Sequence, residues 1–300
     1  MMNQIKKLTD KIRRFLKRKQ FQLYYILMDI IPGNKITVNY WIPPKSDPEF
    51  YNLGDDLNRI LMGLISGKKV IPYKYSYVSR FRKKINYLCI GSVISQLTNE
   101  QTIIWGSGVL SPDLPLVHKP WQVLAVRGPL SRKYLLKHGV DCPEVYGDPA
   151  LLLPRYYQPR STGKKYRVGI IPHYTDKKNA LLDLYRQEDG VYIFDVQHYG
   201  NYKLFIDTVC SCEFIISSSL HGLIISDSYG IPNVWVEFSS GIIGGRFKFE
   251  DYFLSVQRSL TNFPIELKSF KPIHELQGFQ QEWRAPLLDI NELIKCCPFK

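Results

Sequence analysis

The sequence predicts an α/β protein: two Rossmann-like domains around a central cleft, with a basic helix in front. Three observations predict it. From about Lys35 onward, short apolar runs alternate with segments of helical periodicity. The runs are apolar throughout, as strands of a parallel sheet covered on both faces must be. Between Pro154 and Lys165 the chain is rich in Pro, Arg, Ser and Gly, and a fresh apolar strand follows. The expected division is therefore a basic arm over 1–34, a first domain over 35–158 and a second over 159–300.

The bulk composition fits. The chain has 300 residues, 45% hydrophobic and 22% charged, which is ordinary for a globular protein and enough for two domains of common size. No apolar run approaches the roughly 20 residues of a membrane span, and no clean secretory signal opens the chain. The six cysteines (Cys89, Cys142, Cys210, Cys212, Cys296 and Cys297) show no C-x-x-C and no zinc spacing. They read as reduced thiols in a cytoplasmic protein, with Cys89 in the core. The net charge of +13 is uneven, because residues 1–20 hold eight Lys/Arg against the single acid Asp10. Ile5, Leu8, Ile12, Phe15 and Leu16 fall at helical spacing there. Such a helix lies on an anionic membrane surface or stands solvated at the terminus. Nucleic acid is disfavoured: the remaining charge is scattered and no recognition motif accompanies it.

Along the chain, the expected strands are Ile36–Trp41, Tyr87–Ile90, Thr102–Trp105, Val123–Val126, Arg167–Ile171, Val191–Asp195, Phe214–Ser217 and Val234–Glu237. The expected helices are Asp55–Ser66, Pro129–His138, Asn179–Gln187, Tyr202–Ser211, His221–Tyr229 and Asp289–Lys295. Ligands of such sheets sit beyond the carboxyl ends of the strands, so a cleft between two of them is the default site.

Six stretches stand at strand ends or loops. In NLGDDLN, Asp55 and Asp56 open a helix beside Asn52 and Asn58; they cap it, or one of them is spare to bind a sugar hydroxyl. Gly106, Ser107 and Gly108 follow a strand and line a cleft as a turn, but as a nucleotide motif they are weak. Arg127 leaves a buried strand before a Gly-Pro turn, either as a surface charge or as a two-pronged anion clamp. Gly147-Asp148-Pro149 is turn punctuation. His173 ends another strand, as a satisfied polar group or a site residue. Ser217, Ser218 and Ser219 end a strand, and His221 and Gly222 begin a helix. The serines cap that helix or, with its free amides, cradle an anion beside an imidazole able to move a proton near neutral pH. There is no metal cluster, no G-x-S-x-G elbow and no Walker loop. The chemistry suggested is group transfer from an anionic donor.

NLGDDLN, GSGVL, AVRGPLS, VYGDPALLLP, GIIPHYTD, SSSLHGLIISDSYGIP and GGRFKFEDYF occur in an order that resembles the polysaccharide pyruvyl transferase family, over about residues 50–255. The resemblance implies a GT-B-like fold, similar to that of the two-Rossmann-domain glycosyltransferases. It implies transfer of a pyruvyl group from phosphoenolpyruvate to a sugar, commonly as a cyclic ketal, with no cofactor. The family's key His falls on His221 and its strand-end Arg on Arg127. Several members carry an Arg two residues before that His, where this chain has Ser219; Lys248 or Arg246 is expected to compensate. The expected donor site is thus His221, Arg127, Ser217, Ser218, Ser219, Gly222, Lys248 and His173. The expected acceptor site is Asn52, Asp55, Asp56, Gly106, Ser107 and Gly108. The implied partner is a sugar or lipid-linked oligosaccharide, which suits a basic arm at the cytoplasmic membrane face. A nucleotide-sugar glycosyltransferase and a non-catalytic glycan- or membrane-binding relative are the alternatives.

Overall fold

The computed structural model describes residues 2–43, 52–160 and 163–299. Two five-stranded sheets form, and every pairing within them is parallel. The first holds β1 (Lys35–Val38), β2 (Lys69–Pro72), β3 (Asn86–Leu88), β4 (Thr102–Trp105) and β5 (Gln122–Ala125). The second holds β6 (Tyr166–Ile171), β7 (Val191–Ile193), β8 (Cys212–Ser217), β9 (Asn233–Glu237) and β10 (Ile265–Glu266). The spatial orders are β2-β1-β3-β4-β5 and β10-β9-β8-β6-β7. Counted from its own first strand, each sheet therefore has the same doubly-wound order, with strand order reversing between its first and third strands.

The helices in the first half are α1 (Met2–Ile30), α2 (Leu53–Ser66), α3 (Tyr77–Phe81), α4 (Ile94–Leu97), α5 (Pro129–Lys137) and α6 (Leu153–Tyr156). Those in the second are α7 (Ala180–Tyr185), α8 (Tyr202–Cys210), α9 (Leu220–Ser228), α10 (Phe247–Ser255), α11 (Ile273–Gln277) and α12 (Ile290–Lys295). Their termini follow local chemistry. Asn52, Asn179, Asn201 and Asp289 each accept a backbone N–H from the first turn of α2, α7, α8 and α12. Helix α9 begins with a serine at its N-cap, yet Ser219 makes no side-chain capping bond.

Eight expected strands and six expected helices are present, with ends moved by a few residues. Strands β2 and β10 and helices α3, α4, α6, α10 and α11 were not expected. β2 is four residues long, ends in Pro and lies at the sheet edge, where Pro is tolerated. Helix α10, FKFEDYFLS, reads locally as an aromatic strand. Tertiary packing decides otherwise: Phe249 stacks on Trp235 at 4.5 Å, and Tyr252 and Phe253 are buried with it.

The two halves are closely joined. Leu53 N donates to Val196 O at 2.8 Å, and Trp105 Nε1 donates to Leu293 O at 2.9 Å. The C-terminal α12 and Phe299 thus return to the first sheet, where the Phe299 ring meets those of Trp105 and Tyr87. Helix α1 is fixed by Tyr25 and by the buried Asp29, which accepts from Ser76 Oγ and Val78 N at 2.8 Å each. Residues 161–162 of the expected linker lie outside the described residues, as do the side chains of Ile5, Leu8, Lys6, Lys7, Lys11, Arg14 and Arg18 in the expected arm.

Candidate active site

A cavity of about 510 Å³ opens where the two switch points face one another. Trp41 beyond β1 and Gly91, Ser92 and Val93 beyond β3 form its wall on one side. His173 and Tyr174 beyond β6, with Ser219, Leu220 and His221 beyond β8, form the other. Each strand thus delivers its carboxyl end to the same space, as the strand-order rule requires. Asn52 and Asp55 from the start of α2 and Lys248 from α10 complete the polar lining, with Gln96 and Gln197. The volume suits a small-molecule site.

His221 sits on the first turn of α9 and touches the start of α2. A Cβ on Gly54 would lie 2.1 Å from His221 Nδ1, so only glycine allows this approach. The other ring nitrogen, Nε2, is buried, makes no hydrogen bond, and lies 3.8 Å from Asp148 Oδ2. Burial and the positive charges of Arg127, Lys248 and His173 lower the imidazole to about 3. His173 is likewise lowered to about 3, by burial and then by Lys248. Its place is set by Ser218, whose Oγ accepts from His173 N at 2.9 Å and donates to Asp176 at 2.7 Å.

Lys248 is nearly buried, and its Nζ donates to Ile243 O at 3.3 Å. Burial lowers it to about 8; Arg127 adds to the shift and Asp55 opposes it. Asp55 is raised to about 7 by burial, with Lys248 opposing. The wall therefore combines an ammonium, two imidazoles, a carboxyl near its neutral point and the uncapped start of α9. That set can hold an anion and move a proton.

Of the expected site residues, His221, Ser219, Lys248, His173, Asn52 and Asp55 line the cavity. The others stand behind it, and their contacts correct the expected direct roles. Arg127 is fully buried, with Nε 3.1 Å and Nη2 3.0 Å from the Asp251 carboxylate and Nη2 on Val109 O. Its remaining arm donates to Ser92 Oγ at 2.5 Å, and it is Ser92 that faces the cavity. A guanidinium engaged on three sides cannot also clamp a ligand with two prongs. Asp56 is held by a fork from Arg59, at 2.9 and 2.8 Å, and by the hydroxyl of Tyr199, so Asp55 is the acid left for the cavity. Gly106 packs on Pro149, Ser107 donates to Gly91 O, and Gly108 lies against the Arg127 guanidinium. These three support the floor and do not face a sugar. Ser217 bonds backbone at Ile171 and Ser219, and Gly222 packs on Ser217 Oγ and Ile171. Arg246, the other expected compensating charge, is engaged by Glu237 and Glu266.

The residues missed from the sequence are Trp41, Ser92, Gln96, Tyr174 and Gln197 on the wall and Asp148 behind it. A signal existed for Ser92: Gly91-Ser92 follows a strand just as Gly106-Ser107 does. Choosing between them needed the strand order, and the unread β2 is what puts the switch point at β1 and β3. Among the described residues, no group of three or more His, Cys, Asp or Glu is placed to hold a metal ion. Nor is any described helix long and apolar enough to cross a membrane.

Comparison with known proteins gives a family. The signature of the family described as polysaccharide pyruvyl transferase matches residues 9–240. An uncharacterized protein, L143, of Acanthamoeba polyphaga mimivirus is 30% identical over 225 residues, covering 73% of this chain and 74% of that one. The succinoglycan biosynthesis protein ExoV of Rhizobium meliloti (strain 1021) is 27% identical over 217 residues, covering 71% of this chain and 62% of that protein's length. Among solved structures, a functionally uncharacterized protein, KP1_0663, of Klebsiella pneumoniae aligns with a TM-score of 0.42 at 15% identity, over 84% of this chain and 99% of that one.

Proposed function

Since the chain belongs to the polysaccharide pyruvyl transferase family, we propose that it transfers a pyruvyl group from phosphoenolpyruvate to a sugar of a surface polysaccharide or its precursor, closing a ketal. The family makes it a transferase; donor and product are the further step. The observation that carries this reading is the cavity wall itself, where Lys248 and the uncapped start of α9 meet the imidazole of His221. The kinship to a succinoglycan biosynthesis protein supports a saccharide acceptor.

The donor carries a carboxylate and a phosphate. Lys248, the free first-turn amides of α9 and the hydroxyl of Ser92 offer donors for both. Ser92 Oγ accepts from Arg127, so its own proton is polarised toward an anion. Arg127 thus acts through Ser92 and through its field. Burial first, and then that field with those of Lys248 and His173, opposes the imidazolium. A bound anion offsets the positive field, and the imidazole gains its proton where it is needed.

The step follows. His221 protonates the methylene carbon of phosphoenolpyruvate, which becomes the methyl group. The central carbon, now short of electrons, takes the oxygen of a sugar hydroxyl, whose proton passes to a base at the acceptor side. Asp55, near its neutral point, serves there. The carbon–oxygen bond to phosphate then breaks with its electron pair on phosphate, a second hydroxyl bonds to the same carbon, and its proton passes to the departing phosphate. Fixed positive charge stabilises that departure.

The N-terminal helix supplies the location. Its inner face, with Phe21, Tyr25 and Met28, packs on the first half. Ile12, Leu16, Leu23, Leu27 and Ile30 are all exposed and recur at helical spacing. With eight basic residues in the first 20, this stripe suits the anionic cytoplasmic face of a membrane, where a lipid-linked acceptor resides. Leu16→Glu is expected to abolish sedimentation with anionic vesicles without changing the melting temperature; unchanged sedimentation removes the membrane from the reading.

The function itself is tested by thermal shift and phosphate release. Phosphoenolpyruvate is expected to raise the melting temperature, and phosphate is expected to appear only with a suitable saccharide. Protection by nucleotide sugars and none by phosphoenolpyruvate would overturn the reading in favour of a glycosyltransferase.

A further inference from the structure

Beneath the cavity, two buried polar atoms face each other and neither has a hydrogen-bond partner. They are His221 Nε2 and Asp148 Oδ2, 3.8 Å apart. Buried polar groups are paired in nearly all folded proteins, so an orphan needs an explanation. Two orphans aimed at one another share a single explanation.

The chain takes trouble to bring Asp148 there. Val126 N donates to Val145 O at 3.1 Å and Gly147 N to Val126 O at 3.0 Å, so Val145–Gly147 runs as a bridge beside the end of β5. Gly147 then turns at a φ of 134°, in the region that favours glycine. The turn directs the Asp148 side chain inward, where it is fully buried. One carboxylate oxygen, Oδ1, caps the following turn by accepting from Ala150 N at 3.0 Å. A turn needs no more than that. The second oxygen is left over, and it is the one that points at His221.

We propose that Asp148 is the positioning residue for His221: its Oδ2 takes the Nε2–H, fixes that tautomer, and leaves Nδ1 as the nitrogen that serves the substrate. The inference deepens the reading of His221 as proton donor and rests on it. With Nε2–H held by the carboxylate, the neutral ring is basic at Nδ1 and gains its proton there. The resulting imidazolium lies against the Asp148 carboxyl, which burial raises to about 7 and which the Ala150 N–H and Arg127 draw toward its charged form, while Arg127, Lys248 and His173 oppose the ring's charge. Asp55 lies across the cavity on α2 and acts on Lys248. After the proton passes to the donor's methylene carbon, the ring is neutral again and the Nε2–H bond to Asp148 remains. At 3.8 Å the pair is just beyond hydrogen-bond distance, and catalytic hydrogen bonds often tighten only with substrate bound.

The first test needs no substrate. In protein labelled with 15N-histidine, the His221 resonances are assigned by their loss in His221→Gln. They are expected to show the Nε2–H tautomer, and Asp148→Asn is expected to change that pattern. A wild-type His221 in the Nδ1–H tautomer overturns the proposal, whether or not the variant folds. The second test is kinetic. Asp148→Asn is expected to lower kcat roughly a hundredfold while KM for phosphoenolpyruvate changes little. Activity that depends on protonated His221 is lost as pH rises through its pKa. Without the carboxylate that pKa falls, so this limb moves to lower pH in the variant. An unmoved limb, or wild-type kcat, overturns the proposal. A protein inert toward phosphoenolpyruvate that still shows the Nε2–H tautomer and its change in Asp148→Asn would sink the pyruvyl reading and leave the pairing standing.

Discussion

Two helix starts face one another across the cavity, and they are built in opposite ways. Helix α2 is closed: Asn52 accepts from Gly54 N, Leu53 N donates to Val196 O, and Asp56 is locked by Arg59 and Tyr199. Helix α9 is open: Ser219 caps nothing with its side chain, and the Ser217 hydroxyl is turned to backbone. A closed start spends its donors on the fold and presents what is left, here Asp55. An open start keeps its amides for a ligand, beside Lys248. The difference teaches that acids and hydroxyls at a helix start declare a site only when the capping is left undone.

The comparison can be broken from either side. The largest effect is expected on the open side, where His221→Gln should lower phosphate release on the order of 10³-fold with the circular dichroism spectrum unchanged. Retained turnover would remove His221 from the chemistry. Next is the contact between the two starts. Gly54→Ala puts a Cβ 2.1 Å from His221 Nδ1, so the ring must shift. A misplacement of that kind costs about a hundredfold in kcat, and wild-type rates in this variant would mean that the ring's place against α2 is immaterial.

A smaller effect belongs to Lys248→Met. Losing a charged hydrogen bond of about 1.5–3 kcal/mol should weaken donor binding roughly 10- to 100-fold. In the wild type, the ammonium is present below its pKa and lost above it. Donor affinity, read by calorimetry, should therefore fall as pH rises through about 8. That fall should vanish in the variant; if it persists, another group holds the anion. The smallest effect is on the closed side. Asn52→Ala should cost about 1 kcal/mol of stability in urea unfolding, as cap removal does. No loss there would make Asn52 a ligand group first and a cap second.

Much of this architecture was legible beforehand. Thr102–Trp105 is a run of one threonine, two isoleucines and a tryptophan, and all four are buried. Such a run announces its own strand. Asn179 and Asn201 cap the two helices that follow them, so those starts rest on local chemistry too. The site was legible where a residue stands at the tip of such a strand, as His173 and His221 do. It was not legible where a second contact decides the role. Arg127 looked like a clamp, since nothing nearby in sequence reveals that Asp251, 124 residues on, occupies it. Asp148 looked like a turn residue, because its second oxygen has meaning only once α9 is overhead.

The sequence by itself determined the alternation of strands and helices and the set of chemically capable residues, because these follow from local periodicity and side-chain type. Tertiary structure alone decided which of them meet. Strand order places the two switch points, and burial then sorts the charges. Arg127 is neutralised inside while Lys248 is left at the wall, and Asp56 is locked while Asp55 faces the cavity. Those choices depend on contacts between residues far apart in the chain, where the cost of an unpaired buried charge is settled.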